Sequence, residues 1–371
     1  MKRITTPLLV VPVAALLLAA CSSDSRSGDV SESEATASTT GSDQSGGSAG
    51  PVTVQLLTHD SFALSEDVID AFEESSGIEI ELVTGGDAGS MVAGAILAAG
   101  APTADVLFGV DNTLVTRALD EGVFEPYTSP EASALRPDLA DQTFGGLVTP
   151  IDFGDVCINI DDTWFAAEGI APPTTLDDLI DPAYSGLLVV QDPGTSSPGL
   201  AFLLSTVARY GDEWPAYWQA LRDNDVAVSG SWSDAYYGDF TFGGGGDRPI
   251  VVSYATSPPA EIVYAEGEPP ETVSTSTMTD GCYRQIEYAG ILAGSDDVAA
   301  AQQVIDWLLS PEVQADIPLN MFVFPARADT PLPEVFTEFA GLVEDAEQLP
   351  ADFVAENIGE LLAEWGSVMG R

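Results

Sequence analysis

The sequence predicts an α/β protein in two lobes, and three observations carry that expectation. From Val52 onward, short apolar runs of strand character alternate with runs whose apolar residues recur at helical spacing, the order of a sheet with helices on its faces. The chain's 371 residues, 45% of them hydrophobic, suffice for two cores. Between two alternating blocks stands one long extended run, residues 146–160, which reads as a crossover from one lobe to the other.

In order, residues 52–57 form a buried strand, and residues 65–75 a helix carrying Val68, Ile69 and Phe72 on one face and stopped by Gly77. Residues 78–83 are the next strand, 90–99 a helix of small apolar residues ended by Gly100, 105–108 a short strand, and 112–120 a helix capped by Asp111. This alternation predicts a parallel sheet. Beyond the extended run come a strand at 187–190, helices at 200–210 and about 213–223, a short helix opening at 231–237, and a glycine turn at 243–246 into a strand at 250–254. The last third holds a helix at 298–309, the segment 317–325, and a terminal amphipathic helix at 351–365. Residues 51–151, with a returning segment about 285–325, are assigned to the first lobe, and residues 152–284, with 326–371, to the second.

The first 20 residues stand apart. Lys2 and Arg3 precede an apolar segment, residues 7–20, and Leu18-Ala19-Ala20-Cys21 has the form of a lipoprotein signal-peptide cleavage site, after which Cys21 would carry the lipid. Residues 22–50 contain no Phe, Trp, Tyr, Leu, Ile or Met, too little apolar surface to fold, and read as a disordered acidic tether. A flexible coil of these 29 residues reaches about 30 Å.

Without the signal segment the chain keeps 9 Arg, no Lys and 59 acidic residues. A field of that sign repels nucleic acid and draws cations within roughly a Debye length, about 10 Å at 0.1 M salt. Nucleic-acid binding is excluded on this ground; adaptation to a salty medium, or a bias against Lys, explains the acidity without a ligand. Cys157 and Cys282 remain either as a disulfide, which an oxidising compartment favours, or as two buried thiols. One histidine and scattered cysteines offer no metal-ligand spacing, and no cofactor is implied.

Candidate ligand contacts lie in the turns after strands, because parallel α/β sheets bind ligands beyond the carboxyl ends of their strands. These turns are Thr58-His59-Asp60-Ser61-Phe62, Gly85-Gly86-Asp87-Ala88-Gly89-Ser90 and Gly109-Val110-Asp111-Asn112. Asp87 either answers an amino group or a cation, or simply caps its helix; His59 either touches a ligand ring or is a satisfied imidazole. The stretch Gln191-Asp192-Pro193-Gly194-Thr195-Ser196-Ser197-Pro198-Gly199 sets three hydroxyls at a helix N-terminus, which suits a polar or anionic group and equally suits an ordinary N-cap. Trp232, between Ser231 and Ser233, offers a π-face for a heterocycle or cation, or packs in a core. Ser253-Tyr254-Ala255-Thr256-Ser257-Pro258 adds an aromatic with hydroxyls at a strand end.

Taken in order, Ala104-Asp105-Val106-Leu107-Phe108-Gly109-Val110-Asp111-Asn112, the 191–199 stretch, Trp232-Ser233-Asp234-Ala235-Tyr236 and Ser253-Tyr254-Ala255-Thr256-Ser257-Pro258 resemble the thiamine-binding solute receptors of bacterial ABC importers, over most of residues 51–371. The resemblance implies a type II periplasmic-binding-protein fold, with a ligand cleft between two closing lobes. It implies ligand contacts at Asp87, Ser90, Ser196, Ser197, Trp232, Tyr236, Tyr254, Ala255, Thr256 and Ser257, with His59, Asp60 and Phe322 beside them. Trp232 and Tyr254 would flank the rings and the thiazolium charge, Asp87 would answer the cationic or amino side, and the hydroxyls of residues 195–197 would hold the hydroxyethyl or phosphate end. The chain departs from the family pattern at His59, Phe322 and Ala260, where that pattern carries Tyr, Trp and Tyr, and the aromatic box is thinner.

The implied function is capture without turnover: a monomeric extracytoplasmic lipoprotein, held to the membrane only through Cys21, closes on thiamine or a thiamine phosphate and presents it to a permease and its ATPase. A receptor for ferric iron or a polyamine-like solute is the alternative within the class. Iron wants converging tyrosines, whereas Tyr236 and Tyr237 are helix neighbours that diverge. A surface hydrolase needs a nucleophile beside a base, and Gly46-Gly47-Ser48-Ala49-Gly50 falls in the tether rather than in a strand-turn-helix.

Overall fold

In the computed structural model, which describes residues 52–371, ten strands join one hydrogen-bonded sheet. The signal peptide, the tether and the lipidated Cys21 expected from the sequence lie outside the described residues. Strand β1 (Val52–Thr58) pairs in parallel with β2 (Ile78–Thr84) and with β3 (Val106–Asp111), forming one flank of the sheet. After the short β4 (Phe124–Glu125), the long β5 (Thr149–Asp161) crosses the middle. The other flank is β6 (Leu188–Gln191), parallel to β7 (Ala227–Ser229) and β8 (Ile250–Tyr254).

The expected all-parallel sheet is corrected to a mixed one. The 18-residue β9 (Thr275–Leu292) runs antiparallel to both β5 and β3, and β5 runs antiparallel to β8. Strand β9 was not foreseen because Thr277, Asp280, Arg284, Gln285 and Glu287 interrupt its apolar pattern, although Tyr283, Ile286, Tyr288, Ala289, Ile291 and Leu292 are all buried. Strand β10 (Phe324–Pro325) closes on β5, so only the end of the 317–325 segment is strand; its beginning belongs to the helix Pro311–Asn320.

Helix starts follow local chemistry. The helix Ser197–Tyr210 begins three residues ahead of the expected position, since Pro198 sits in its first turn with φ preset and no N–H to waste; its side chains are buried as far as Val207. The helix Ala88–Leu97 begins directly behind its N-cap Asp87. The helix Val115–Asp120 starts later than the expected 112, because the Asp111 side chain engages the amides of Thr113 and Leu114 in a turn. The terminal helix Ala351–Met369 runs past the expected 365 to Gly370, whose φ of 72° ends it, and its Trp365 meets Trp218 of the helix Trp214–Asp223 edge to face at 5.7 Å.

The β5–β9 ladder slips between Val156 and Ile158, where β9 carries extra residues, and Cys157 and Cys282 meet at this slip in a disulfide with Cα atoms 4.4 Å apart. Beside it the fully buried Asp155 is paired with Arg284 and accepts the Val343 N–H at 3.1 Å, clipping the 343–347 segment over the bond. The bond closes a span of 125 residues and so limits the unfolded chain. Replacing both cysteines by alanine is expected to lower the unfolding free energy by roughly 2–5 kcal/mol, measured as a lower urea midpoint by circular dichroism; an unchanged midpoint would assign the clamp to Asp155 and Arg284 alone.

Candidate functional site

The turns after β1, β2, β6, β7 and β8 converge on one cavity of about 540 Å³. His59 and Asp60 enter it after β1 and Asp87 after β2, facing Ser197, Trp232, Tyr236, Tyr254 and Ser257 from the other flank. Gln285 and Glu287 of β9 line it from the middle of the sheet, and Phe322 just ahead of β10. Gly109 permits the approach: at φ +95°, a Cβ there would stand 2.3 Å from His59 Cδ2, so only glycine lets β3 pass beneath the imidazole.

One side of the cavity is aromatic. Trp232 stacks on Tyr236 with ring centroids 5.0 Å apart and meets Tyr254 edge to face at 6.4 Å. Its Nε1 donates to Ser253 Oγ at 3.0 Å, and that hydroxyl lies 3.0 Å from Ser257 Oγ, so the indole plane is fixed by the strand end beneath it. Phe322 holds φ at 55°, a backbone conformation that bulky residues avoid, with its ring 5.4 Å from that of Tyr264.

Between the flanks runs a polar network. The Asp87 carboxylate accepts from the amides of Ala88 at 2.6 Å, Trp232 at 2.8 Å and Ser197 at 3.3 Å, so it caps its own helix and ties the turn after β2 to the turns after β6 and β7. Burial raises its pKa, against the pull of the Trp232 amide. Ser197 Oγ donates to Asp111 and accepts from Gln285 Nε2 at 2.6 Å, and Thr195 Oγ1 donates to the Gly230 carbonyl at 2.7 Å. These two hydroxyls, read from the sequence as ligand donors, have partners within the protein, Ser197 because the helix start lies between β3 and β9 and Thr195 because it reaches the turn after β7. Asp111 is fully buried, and burial pushes its pKa up to about 6.

Opposite the aromatic side the cavity is acidic. His59 Nε2 lies 3.3 Å from Glu287 Oε1, while His59 Nδ1 accepts the Ser61 N–H at 3.2 Å. The β5–β9 register sets Asp152 across from Glu287. Burial disfavours a charged His59, but Glu287, Asp87 and Asp60 together outweigh it and its pKa rises. Burial, reinforced by Glu287, lifts Asp152 well above the carboxylate range. For Glu287 burial acts the same way, yet His59 and the hydrogen of Asp152 reverse it and the net direction is down. Of the two facing carboxyls, Glu287 is the one that keeps its charge.

A family comparison decides the class. The pattern of a bacterial extracellular solute-binding protein matches residues 101–338. The chain belongs to that family. The thiamine-binding periplasmic protein of Escherichia coli strain K12 is 30% identical to it over 321 residues, spanning 85% of this chain and 93% of that protein. Among solved structures, a periplasmic thiamin binding protein superposes with a TM-score of 0.74 at 27% identity, covering 86% of this chain and 96% of its own. The ferric binding protein of Campylobacter jejuni, at 19% identity, covers 85% of this chain and 99% of its own with a TM-score of 0.68, a likeness of fold alone. The fold is the type II periplasmic-binding-protein fold, and the protein is an extracytoplasmic solute-binding protein.

Not every residue expected to contact the solute lines the cavity. The exposed Ser90 donates its N–H to Thr195 O at 3.1 Å and borders a separate hollow of about 290 Å³. Ser196, Ala255 and Thr256 are buried outside the lining; Ala255 packs against the disulfide, and Thr256 Oγ1 makes no hydrogen bond. Conversely, Gln285 and Glu287 line the cavity and were not singled out from the sequence. The available signal was Gln285-Ile286-Glu287, two polar residues at strand period on one face of an otherwise buried run.

The raised Asp111 gives this solute-binding protein a measurable pH dependence. Its folded pKa of about 6 exceeds the ordinary 3.8, so folding favours the protonated form, and the contribution is full below 3.8 and lost as pH rises through about 6. The full span corresponds to about 3 kcal/mol. Asp111→Asn keeps an acceptor for the Thr113 amide and is expected to flatten the fall in melting temperature between pH 4 and pH 7; equal slopes in both proteins would refute the assignment.

Proposed function

We propose that this solute-binding protein binds thiamine in the cavity, between a first lobe of residues 51–151 with 285–325 and a second of residues 152–284 with 326–371. The observation that carries the reading is the pairing of an aromatic side, Trp232 with Tyr236 and Tyr254, and an acidic side at Glu287. A flat, cationic heterocycle satisfies both at once. A polyamine would answer the acid and leave the rings without a partner. The names of the relatives point the same way. The packing of Trp365 on Trp218 supports giving the terminal helix to the second lobe.

Among the described residues lining the cavity none is Lys or Arg, which favours thiamine over its diphosphate, since phosphate recognition draws on such groups. The protein would act as a monomer without turnover, anchored through lipid on Cys21, and deliver its ligand to a permease and ATPase; the Leu18-Ala19-Ala20-Cys21 motif supports the anchor.

Isothermal titration of residues 51–371 is expected to give one-to-one binding of thiamine, weaker binding of the diphosphate, and a loss of about 10- to 100-fold in Trp232→Ala, the scale of one ring stack. No heat and no thermal shift with thiamine or either phosphate would overturn the ligand while leaving the family intact.

A further inference from the structure

The acidic side of the cavity is built for a purpose that the fold does not require. Glu287 and Gln285, two residues apart on one face of β9, are 7% and 2% exposed and both line the cavity. Gln285 Nε2 is taken by Ser197, which turns its Oε1 into an acceptor with no partner. Asp152, fully buried behind the lining, faces Glu287 across the ladder, and His59 Nε2 stands 3.3 Å from Glu287 Oε1. A buried acceptor without a partner, such as Gln285 Oε1, and a buried carboxylate such as Glu287 are costly, and a ligand bringing N–H groups or a positive charge into the cavity would satisfy them.

His59 is poised rather than locked. Its Nδ1 accepts the Ser61 amide, which holds the ring as the neutral Nε2–H form, whereas the surrounding acids favour the imidazolium. The titratable groups around it come from every neighbouring element: Asp60 after β1, Asp87 after β2, and Glu287 on β9 with the neutral Asp152 of β5 opposite. Tyr254 of β8 faces the same acids and, raised by burial, stays neutral.

We propose that Glu287 is the residue that recognises the positive charge of the ligand, and that His59 is its proton-controlled competitor, leaving Glu287 to the ligand when neutral and taking it when protonated. The inference rests on the thiamine reading only for the identity of the cation. Its consequence is that binding a cation displaces a proton: affinity falls as pH drops through the His59 transition, and the neighbouring carboxylates, losing charge in the same direction, add to the fall. A receptor of this kind holds its solute in neutral medium and gives it up in acid.

The test uses the full residue 51–371 protein with thiamine and an uncharged deaza analogue of its thiazolium ring, from pH 5 to pH 8. Wild type is expected to prefer thiamine at least tenfold and to lose at least tenfold in affinity across that range. Glu287→Gln, checked for an unaltered fold by circular dichroism, is expected to erase the preference between the two ligands, and His59→Asn to remove the part of the pH dependence that tracks the imidazole. His59 is the single histidine, so its NMR resonance in the ligand-free protein is unambiguous and should titrate lower in Glu287→Gln than in wild type. A preference that survives Glu287→Gln would overturn the proposal. If thiamine fails to bind wild type at any pH, the ligand reading falls, and the ligand-free titration still decides the His59–Glu287 pair: an unchanged midpoint in Glu287→Gln overturns it.

Discussion

The pairing of β5 with β9 is the constraint on which the rest depends. Each flank of the sheet is a small parallel set, and within the sheet only these two long antiparallel strands join them. The same register that joins the flanks also brings Asp152 opposite Glu287 and leaves Gln285 facing the cavity. The ladder slips twice, between Pro150 and Asp152 beside Glu287 and between Val156 and Ile158, and at the second slip the disulfide and the Asp155–Arg284 pair hold it. The scaffold and the acidic side of the site are therefore one feature and not two.

Charge at the cavity obeys a different logic from charge on the surface. The chain carries 59 acidic residues, most of them solvated and screened. The few that are buried cannot all ionise in a low dielectric: Asp111 and Asp152 are driven toward the neutral form, while Glu287 is driven the other way by His59 and by the proton on Asp152. One buried charge is tolerated where three would not be. A cation arriving on that charge meets an electrostatic partner that bulk water and salt reach poorly, which a carboxylate of the outer surface could not offer.

Elements that depend on local chemistry were legible in the sequence. The strand at 52–57, the helix stopped by Gly77 and the aromatic residues Trp232 and Tyr254 at strand ends need only their neighbours to be read, and the structure places both aromatics on the cavity. Strand β9 was not legible, because the polar residues that line the site are the ones that break its apolar pattern. Glu287 in particular is one acid among many until its strand partner is known. The partners of the Thr195 and Ser197 hydroxyls were not legible for a related reason: a sequence identifies a donor but not its acceptor, and here the acceptors are Gly230 and Asp111, far along the chain.

Asp87 links these levels. Its carboxylate joins the amides of Ser197 and Trp232 to the turn after β2, so the bonds that draw the two flanks together are the bonds that set the backbone of the stacking tryptophan. A ligand lying between Trp232 and Glu287 would touch the residue whose amide this tie holds. It therefore favours the arrangement in which the tie is made, by the difference in its affinity for the two states and by no more than that. Removing the charge of Asp87 would loosen the tie between the turns and misplace the indole together, because one carboxylate holds both amides.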